Sequence, residues 1–308
     1  LNSKYEVEIS DNPDYSIISC FDYEYNFLQK CKGIRIFYTG ENVPPDFSVY
    51  DYAIGFDRIS FGDRFFRYPL SYSDVYIGKL AEMKHENIEK ILTCKDLFCT
   101  FMYSHEGCKE RTEIFNAVSS YKRVDSVGKY LRNSNIQIPY DSDNHNKLLF
   151  QGRAKFVLAI ENTSYPGYST EKLLHAFASR TVPIYYGDPS ITDDFNQDAF
   201  INVHAFKSYD QLIAFIREVD QNDEQYLKML HAPAFKKENF IFAEREKVMR
   251  FLFNIFDQEY HSAFRRPRDG IVVDREKVLS EVVFYKKGYL NHQNKSIANR
   301  IRRKVFHK

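Results

Sequence analysis

The segment 156–190, FVLAIENTSYPGYSTEKLLHAFASRTVPIYYGDPS, constrains the fold more than any other part of the chain. It opens on an uninterrupted apolar run over 156–160 (FVLAI), as fits a strand covered on both faces. A polar loop bearing Gly167 follows. Leu173, Leu174, Phe177 and Ala178 then recur at helical spacing over 170–179, with Ser169 or Thr170 placed as N-cap. A second apolar run over 182–186 (VPIYY) ends at Gly187. Strand, helix and strand in this order make a βαβ unit, which requires a parallel sheet with helices on its faces.

The same alternation runs along the rest of the chain. Strands are predicted over 15–20, 33–39 (GIRIFYT) and 52–56, and helical spacing occupies 73–92. A second series starts with an apolar strand over 97–103 (LFCTFMY) and a helix over 112–120. It continues through the opening segment to a strand over 200–203 and amphipathic helices over 209–219 and 244–256. Two such series predict an α/β chain of two Rossmann-like domains with a cleft between them. We place the domains at 1–95 and 96–260, followed by a tail over 261–308. Phe (27) and Tyr (23) supply ample material for two cores, and Trp is absent.

Charge separates the tail from the body. Residues 282–308 carry eight Lys and Arg and no acid, which leaves 35 basic against 42 acidic residues over 1–281. The acidic body argues against nucleic acid as a partner. Ile297, Ile301 and Val305 recur every four residues within the basic tail, as suits either a helix on an anionic membrane surface or a solvated tail. No apolar run is long enough to span a bilayer, and no secretory signal pattern is visible. Five scattered cysteines point to a reducing compartment rather than a disulfide framework. Cys94, Cys99, His105 and Cys108 are close in sequence, but their spacing matches no common zinc site. The DSD at 141–143 reads as a turn more readily than as a metal-holding acid pair.

The charged pair Glu171-Lys172 falls at the start of the helix in the opening segment. A helix N-terminus presents unpaired N–H groups and partial positive charge, so it suits an anion. Glu171 is favoured there by the dipole, whereas Lys172 is not; an anionic ligand explains the lysine. A phosphate site and an ordinary surface helix start are both open readings. Neither GxGxxG nor GxxxxGK[ST] occurs, so hydride-transfer and P-loop chemistry have no support.

The segment 156–190 resembles the donor-binding signature of the α1,3/4-fucosyltransferases, glycosyltransferase family 10. The matching residues are the EN, GY and TEK groups, then the helix, then VPIYYG. The stretch 36–70 (IFYTGENVPPDFSVYDYAIGFDRISFGDRFFRYPL) is similar to the acceptor-domain segment of bacterial members. A weaker similarity lies at 104–118, and the whole covers most of 15–260.

This resemblance implies a glycosyltransferase-B architecture and an inverting, single-displacement transfer of L-fucose from GDP-fucose. The product would be an α1,3 linkage to a GlcNAc or Glc unit of a surface glycan of the lipopolysaccharide or Lewis-antigen kind. It implies Glu41 as the base, and Arg111 and Lys172 as the cations of the diphosphate. Glu171 would hold sugar hydroxyls of the donor, Tyr168 would contact the diphosphate region, and Asn162 is a further donor-site position. No metal or other cofactor is implied. The acceptor would be an oligosaccharide such as N-acetyllactosamine or a surface-glycan precursor. The implied location is cytoplasmic, peripheral on the inner face of the membrane. The chain begins at Leu1 and has no Trp, so the first strand of the family pattern, with its Trp- and acid-rich acceptor loop, is expected to be missing. A transferase of another GDP-sugar and a catalytically silent glycan- or nucleotide-binding protein are the alternative readings.

Overall fold

The computed structural model describes residues 4–20, 31–72, 92–141, 144–237 and 240–269. The chain packs as two units: 1–55 with 60–66 and 251–308, and 56–59 with 67–250.

The first unit is built on a four-stranded sheet in the order β1 (Tyr15–Ser19), β2 (Ile34–Tyr38), β3 (Tyr52–Gly55), β4 (Phe65–Arg67). β1, β2 and β3 run parallel, as their apolar runs predict. Ile18, Phe37, Tyr50, Ala53 and Phe65 form its core. Residues from the far end of the chain complete the unit. The buried Asp51 carboxylate accepts the N–H groups of Arg265 and Arg266, each at 2.8 Å, and is ion-paired with the Arg266 guanidinium. One carboxylate therefore ties this late segment to the sheet.

The second unit carries a five-stranded parallel sheet. Its strands are β5 (Leu97–Phe101), β6 (Val124–Ser126), β7 (Ala154–Ile160), β8 (Val182–Tyr186) and β9 (Ile201–Asn202), in the order β6-β5-β7-β8-β9. The helices are α1 (Lys109–Tyr121), α2 (His145–Gly152), α3 (Glu171–Ala178), α4 (Tyr209–Gln221) and α5 (Asp223–His231), with α6 (Phe240–Phe256) leading towards the C-terminal residues.

β7 shows why FVLAI lacks alternation. Phe156, Leu158 and Ile160 belong to one core with Ile114 and Val118 of α1 and Leu212 and Ile216 of α4. Val157 and Ala159 belong to the other, with Leu173, Leu174 and Phe177 of α3. Both faces are covered, and each fully buried Leu, Ile or Phe contributes about 1.5–3 kcal/mol of burial.

The strand order positions the site. From β5 the chain steps outward to β6, then returns past β5 to β7. The direction of winding reverses between β5 and β7, and open α/β sheets hold ligands beyond the carboxyl ends of the strands at such a point.

Several elements depart from the sequence reading. β5 ends at Phe101 because Tyr103 leaves the strand and bonds across to β7. Its hydroxyl donates to Leu158 O at 2.8 Å and accepts from Ile160 N at 2.7 Å. Ser169 and Thr170 were both candidate caps for α3. Thr170 is the N-cap residue, but its hydroxyl caps nothing and turns to Glu161 instead. The helical spacing over 73–91 and the basic tail over 270–308 lie outside the described residues, as do Ser142 and Asp143 of the DSD.

Candidate active site

The start of α3 is organised by Glu161, the first residue after β7. Its carboxylate is fully buried. Oε1 accepts the Thr170 N–H at 2.8 Å, and Oε2 accepts the Thr170 hydroxyl at 2.7 Å. Lys172 Nζ donates to the same Oε2 at 3.0 Å and to Thr170 Oγ1 at 2.9 Å. A buried charge is tolerated only when paired and hydrogen-bonded in this way. Gly187, at the end of the VPIYYG run, makes the space: a Cβ there would lie 2.4 Å from Glu161 Cγ. Glu161 therefore gives Lys172 a partner within the chain, a role the sequence reading left to a ligand.

Arg111 on α1 is buried with 1% exposure. Nη1 donates to His105 O at 3.0 Å. Nη2 donates to Ile160 O at 2.9 Å and to Asn162 Oδ1 at 2.8 Å. The guanidinium lies over the Tyr103 ring, 4.0 Å from its centroid. The turn into α1 passes Gly107 at φ 73°, where a Cβ would come within 2.5 Å of Arg111 Nη1. Glycine is required there both by backbone conformation and by contact with the arginine.

Tyr103, His105, Arg111, Asn162 and Lys172 border one cavity of about 220 Å³. Its walls come from 102–105 after β5, from Arg111 and Asn162, and from Glu171 and Lys172 at the start of α3. Lys147 and Gln151 of α2 and 157–159 of β7 complete it. It sits at the β5–β7 reversal, where the topology places a ligand.

The electrostatics of the cavity are coupled. Burial disfavours the Lys172 ammonium, but Glu161 and Glu171 outweigh it and raise its pKa above the ordinary lysine value. Burial likewise disfavours the Glu171 carboxylate, yet Lys172, Lys147 and His175 hold its pKa below the usual range. Burial pushes the Tyr103 hydroxyl up to about 12, against the pull of Arg111 and Lys172. Both ends of the Glu171-Lys172 pair are thus charged near neutral pH, and Arg111 and Lys147 stand beside them at the cavity wall.

Of the residues singled out in sequence, Arg111, Asn162, Glu171 and Lys172 come together here. Tyr168 is buried beside Phe56, edge to face with ring centroids 5.1 Å apart, and is not part of the cavity wall. Glu41 lies in the first unit, just past the carboxyl end of β2. Its N–H donates to Thr39 Oγ1 at 2.9 Å, and its C=O accepts from Val43 N at 2.7 Å, which fixes the turn. Glu161, Tyr103 and Lys147 are given no site role by the sequence reading. Glu161 had a signal, being an acid set against the end of a fully apolar strand. Among the described residues no three His, Cys, Asp or Glu side chains are grouped as metal ligands. Cys99 is buried in the core, whereas Cys94 is exposed.

The chain matches two protein families in succession. Residues 1–74 match the "Alpha-(1,3)-fucosyltransferase FucT N-terminal domain", and residues 92–251 match "Glycosyltransferase family 10 (fucosyltransferase) C-term". The chain belongs to glycosyltransferase family 10. It is 31% identical to the Alpha-(1,3)-fucosyltransferase FucT of Helicobacter pylori, over 85% of this chain and 62% of that relative. This family 10 chain therefore spans less than two thirds of the length of that relative. A crystal structure of an α1,3-fucosyltransferase matches it with a TM-score of 0.71 at 27% identity, over 84% of this chain and 82% of that one. A crystal structure of an α1,3-fucosyltransferase with GDP-fucose matches with a TM-score of 0.64 at 28% identity, over 82% and 80% of the two chains. The fold is α/β, of the glycosyltransferase-B type expected from the sequence.

Proposed function

We propose that the chain transfers L-fucose from GDP-fucose to the 3-hydroxyl of a GlcNAc or Glc unit, forming an α1,3 linkage with inversion. The observation that carries this reading is the meeting of Arg111, Asn162, Glu171 and Lys172 around one cavity at the β5–β7 reversal. A donor of this class is a nucleotide diphosphate sugar, and a cavity edged by cations and one carboxylate suits its phosphates and hydroxyls.

In this reading Glu41 is the general base. Its carboxylate takes the proton of the acceptor hydroxyl as that oxygen bonds to the anomeric carbon. The bond from that carbon to the GDP oxygen breaks, and GDP leaves with the electron pair. The charge that develops on GDP is stabilised by side-chain cations rather than by a divalent metal. Support for Glu41 comes from its place at the carboxyl end of a parallel sheet, where ligands of α/β units bind. We further propose N-acetyllactosamine or a surface-glycan precursor as acceptor, and recruitment by the basic tail to anionic lipid at the inner face of the cytoplasmic membrane.

Fucosyl transfer to N-acetyllactosamine, followed as GDP release with and without a chelator, tests this reading. Turnover that survives chelation and is lost in Glu41→Gln with GDP affinity kept is the expected result. Wild-type turnover in Glu41→Gln would remove the base assignment. Turnover with GDP-mannose but not GDP-fucose would move the chain to another donor.

A further inference from the structure

The three cations of the cavity are not equally committed. Arg111 gives its Nη groups to two backbone carbonyls and Asn162, and Lys172 is paired with a buried carboxylate. Lys147 differs. It stands on α2 and lines the same cavity. Its Nζ lies 2.9 Å from His175 Nδ1, and among the described residues no carboxylate is within ion-pair distance of it. An ammonium has three N–H donors, and this imidazole nitrogen takes one.

The surroundings do not neutralise Lys147. On α3 it faces Glu171, Lys172 and His175, and Glu161 lies at the end of β7. Burial is the largest influence and disfavours the ammonium; Glu171 and Glu161 oppose it, and Lys172 adds to it. A half-buried lysine beside a cavity, with an imidazole nitrogen rather than a carboxylate as its hydrogen-bond partner, is poorly compensated until an anion arrives.

We propose that Lys147 is a further ligand-binding residue of this cavity, its ammonium steered by His175 Nδ1 to a phosphoryl oxygen of a bound nucleoside diphosphate. The assignment rests on the donor reading above, but needs only the diphosphate, not the fucose. It divides the cations by task. Arg111 edges the cavity while bracing the loop after β5, Lys172 edges it while holding the start of α3, and Lys147 adds a side chain with no carboxylate at ion-pair distance among the described residues.

Calorimetry on the full chain tests the division, with inorganic pyrophosphate and GDP as probes and wild type, Lys147→Gln and Lys147→Arg as proteins. Losing one charge-assisted hydrogen bond should weaken both probes roughly tenfold or more in Lys147→Gln. Lys147→Arg, which keeps the charge, should lose less. Lys147→Met, which keeps the aliphatic stem, carries the same comparison should Lys147→Gln fail to fold. Unchanged affinity for both probes in Lys147→Gln overturns the proposal, as does an equal loss in Lys147→Arg or a wild type that binds neither probe. A wild type that binds pyrophosphate and GDP but not GDP-fucose, with the loss in Lys147→Gln intact, supports Lys147 and removes the fucosyl donor. Normal GDP-fucose binding in both wild type and Lys147→Gln removes Lys147 and keeps the donor reading.

Discussion

Lys172 Nζ lies 3.0 Å from Oε2 of Glu161, a carboxylate with no exposure to solvent. The two residues are joined through the turn that starts α3, since the same carboxylate also holds Thr170 by its N–H and its hydroxyl. Buried charge, turn and helix start form one unit, and removing a member leaves the others uncompensated.

Glu161→Gln should therefore destabilise the chain by about 3–5 kcal/mol, the usual cost of breaking a buried ion pair from one side. Urea unfolding measures it. Glu161→Gln combined with Lys172→Met should be less destabilised than the sum of the single changes, because the orphaned ammonium is gone. Strict additivity would mean that the pair is not coupled.

Gly187→Ala places a methyl 2.4 Å from Glu161 Cγ. Overpacking at a buried site typically costs about 1–3 kcal/mol. Displacement of Glu161 should carry Lys172 with it, so affinity for GDP is expected to fall together with stability. Wild-type GDP affinity in a destabilised Gly187→Ala would show that Glu161 is not what positions the lysine.

Arg111→Lys tests the brace after β5. A lysine cannot reproduce two Nη groups bonded to His105 O, Ile160 O and Asn162 Oδ1, nor the flat stack over Tyr103. Each buried acceptor left unpaired costs about 1–3 kcal/mol, so a loss of at least that size is expected in denaturant unfolding. An unaffected Arg111→Lys would mean that charge alone matters at this position.

Asp220 gives a prediction with a pH sign. Its carboxylate accepts from Tyr121 at 2.9 Å, Lys122 at 3.1 Å and pairs with Lys155 at 3.1 Å, joining α1, β7 and the end of α4. Burial alone would raise its pKa, but the hydrogen bonds from Lys122, Lys155 and Tyr121 lower it below the ordinary 3.8. A carboxyl lowered by folding stabilises above its unfolded pKa and loses that contribution as pH falls through the folded value. Asp220→Asn should be less stable than wild type near pH 7, and the gap should close below about pH 4. A gap that persists at pH 2–3 would mean that packing, not charge, is responsible.

Much of this was legible in the sequence, for identifiable reasons. β7, α3 and β8 follow from FVLAI, the LLHAFA stripe and VPIYY because long apolar runs report burial directly. β6 was not read, since three residues with Asp125 at the centre show no alternation. α2 was not read either. It follows a polar, Asn-rich stretch, and its N-cap Asn144 is left-handed at φ 59°. Missing α2 also hid Lys147. Asn162, Glu171 and Lys172 lie in the family motif at 156–190 and Arg111 in the weaker similarity at 104–118, while Glu161, inside the motif, was given no role. Nothing in a linear sequence states that the cation at Lys172 is matched by a carboxylate eleven residues earlier; the turn that joins them exists only in the fold.

Hydrogen-exchange mass spectrometry with and without GDP-fucose tests the central claim most directly, because it reports both binding and place. Added GDP-fucose should slow exchange in peptides covering 102–111 and 161–175, which carry the cavity wall and the start of α3, and leave the edge strand β9 unchanged. No protection of those peptides at saturating GDP-fucose, or protection confined to other parts of the chain, would contradict the assignment of this cavity as the donor site.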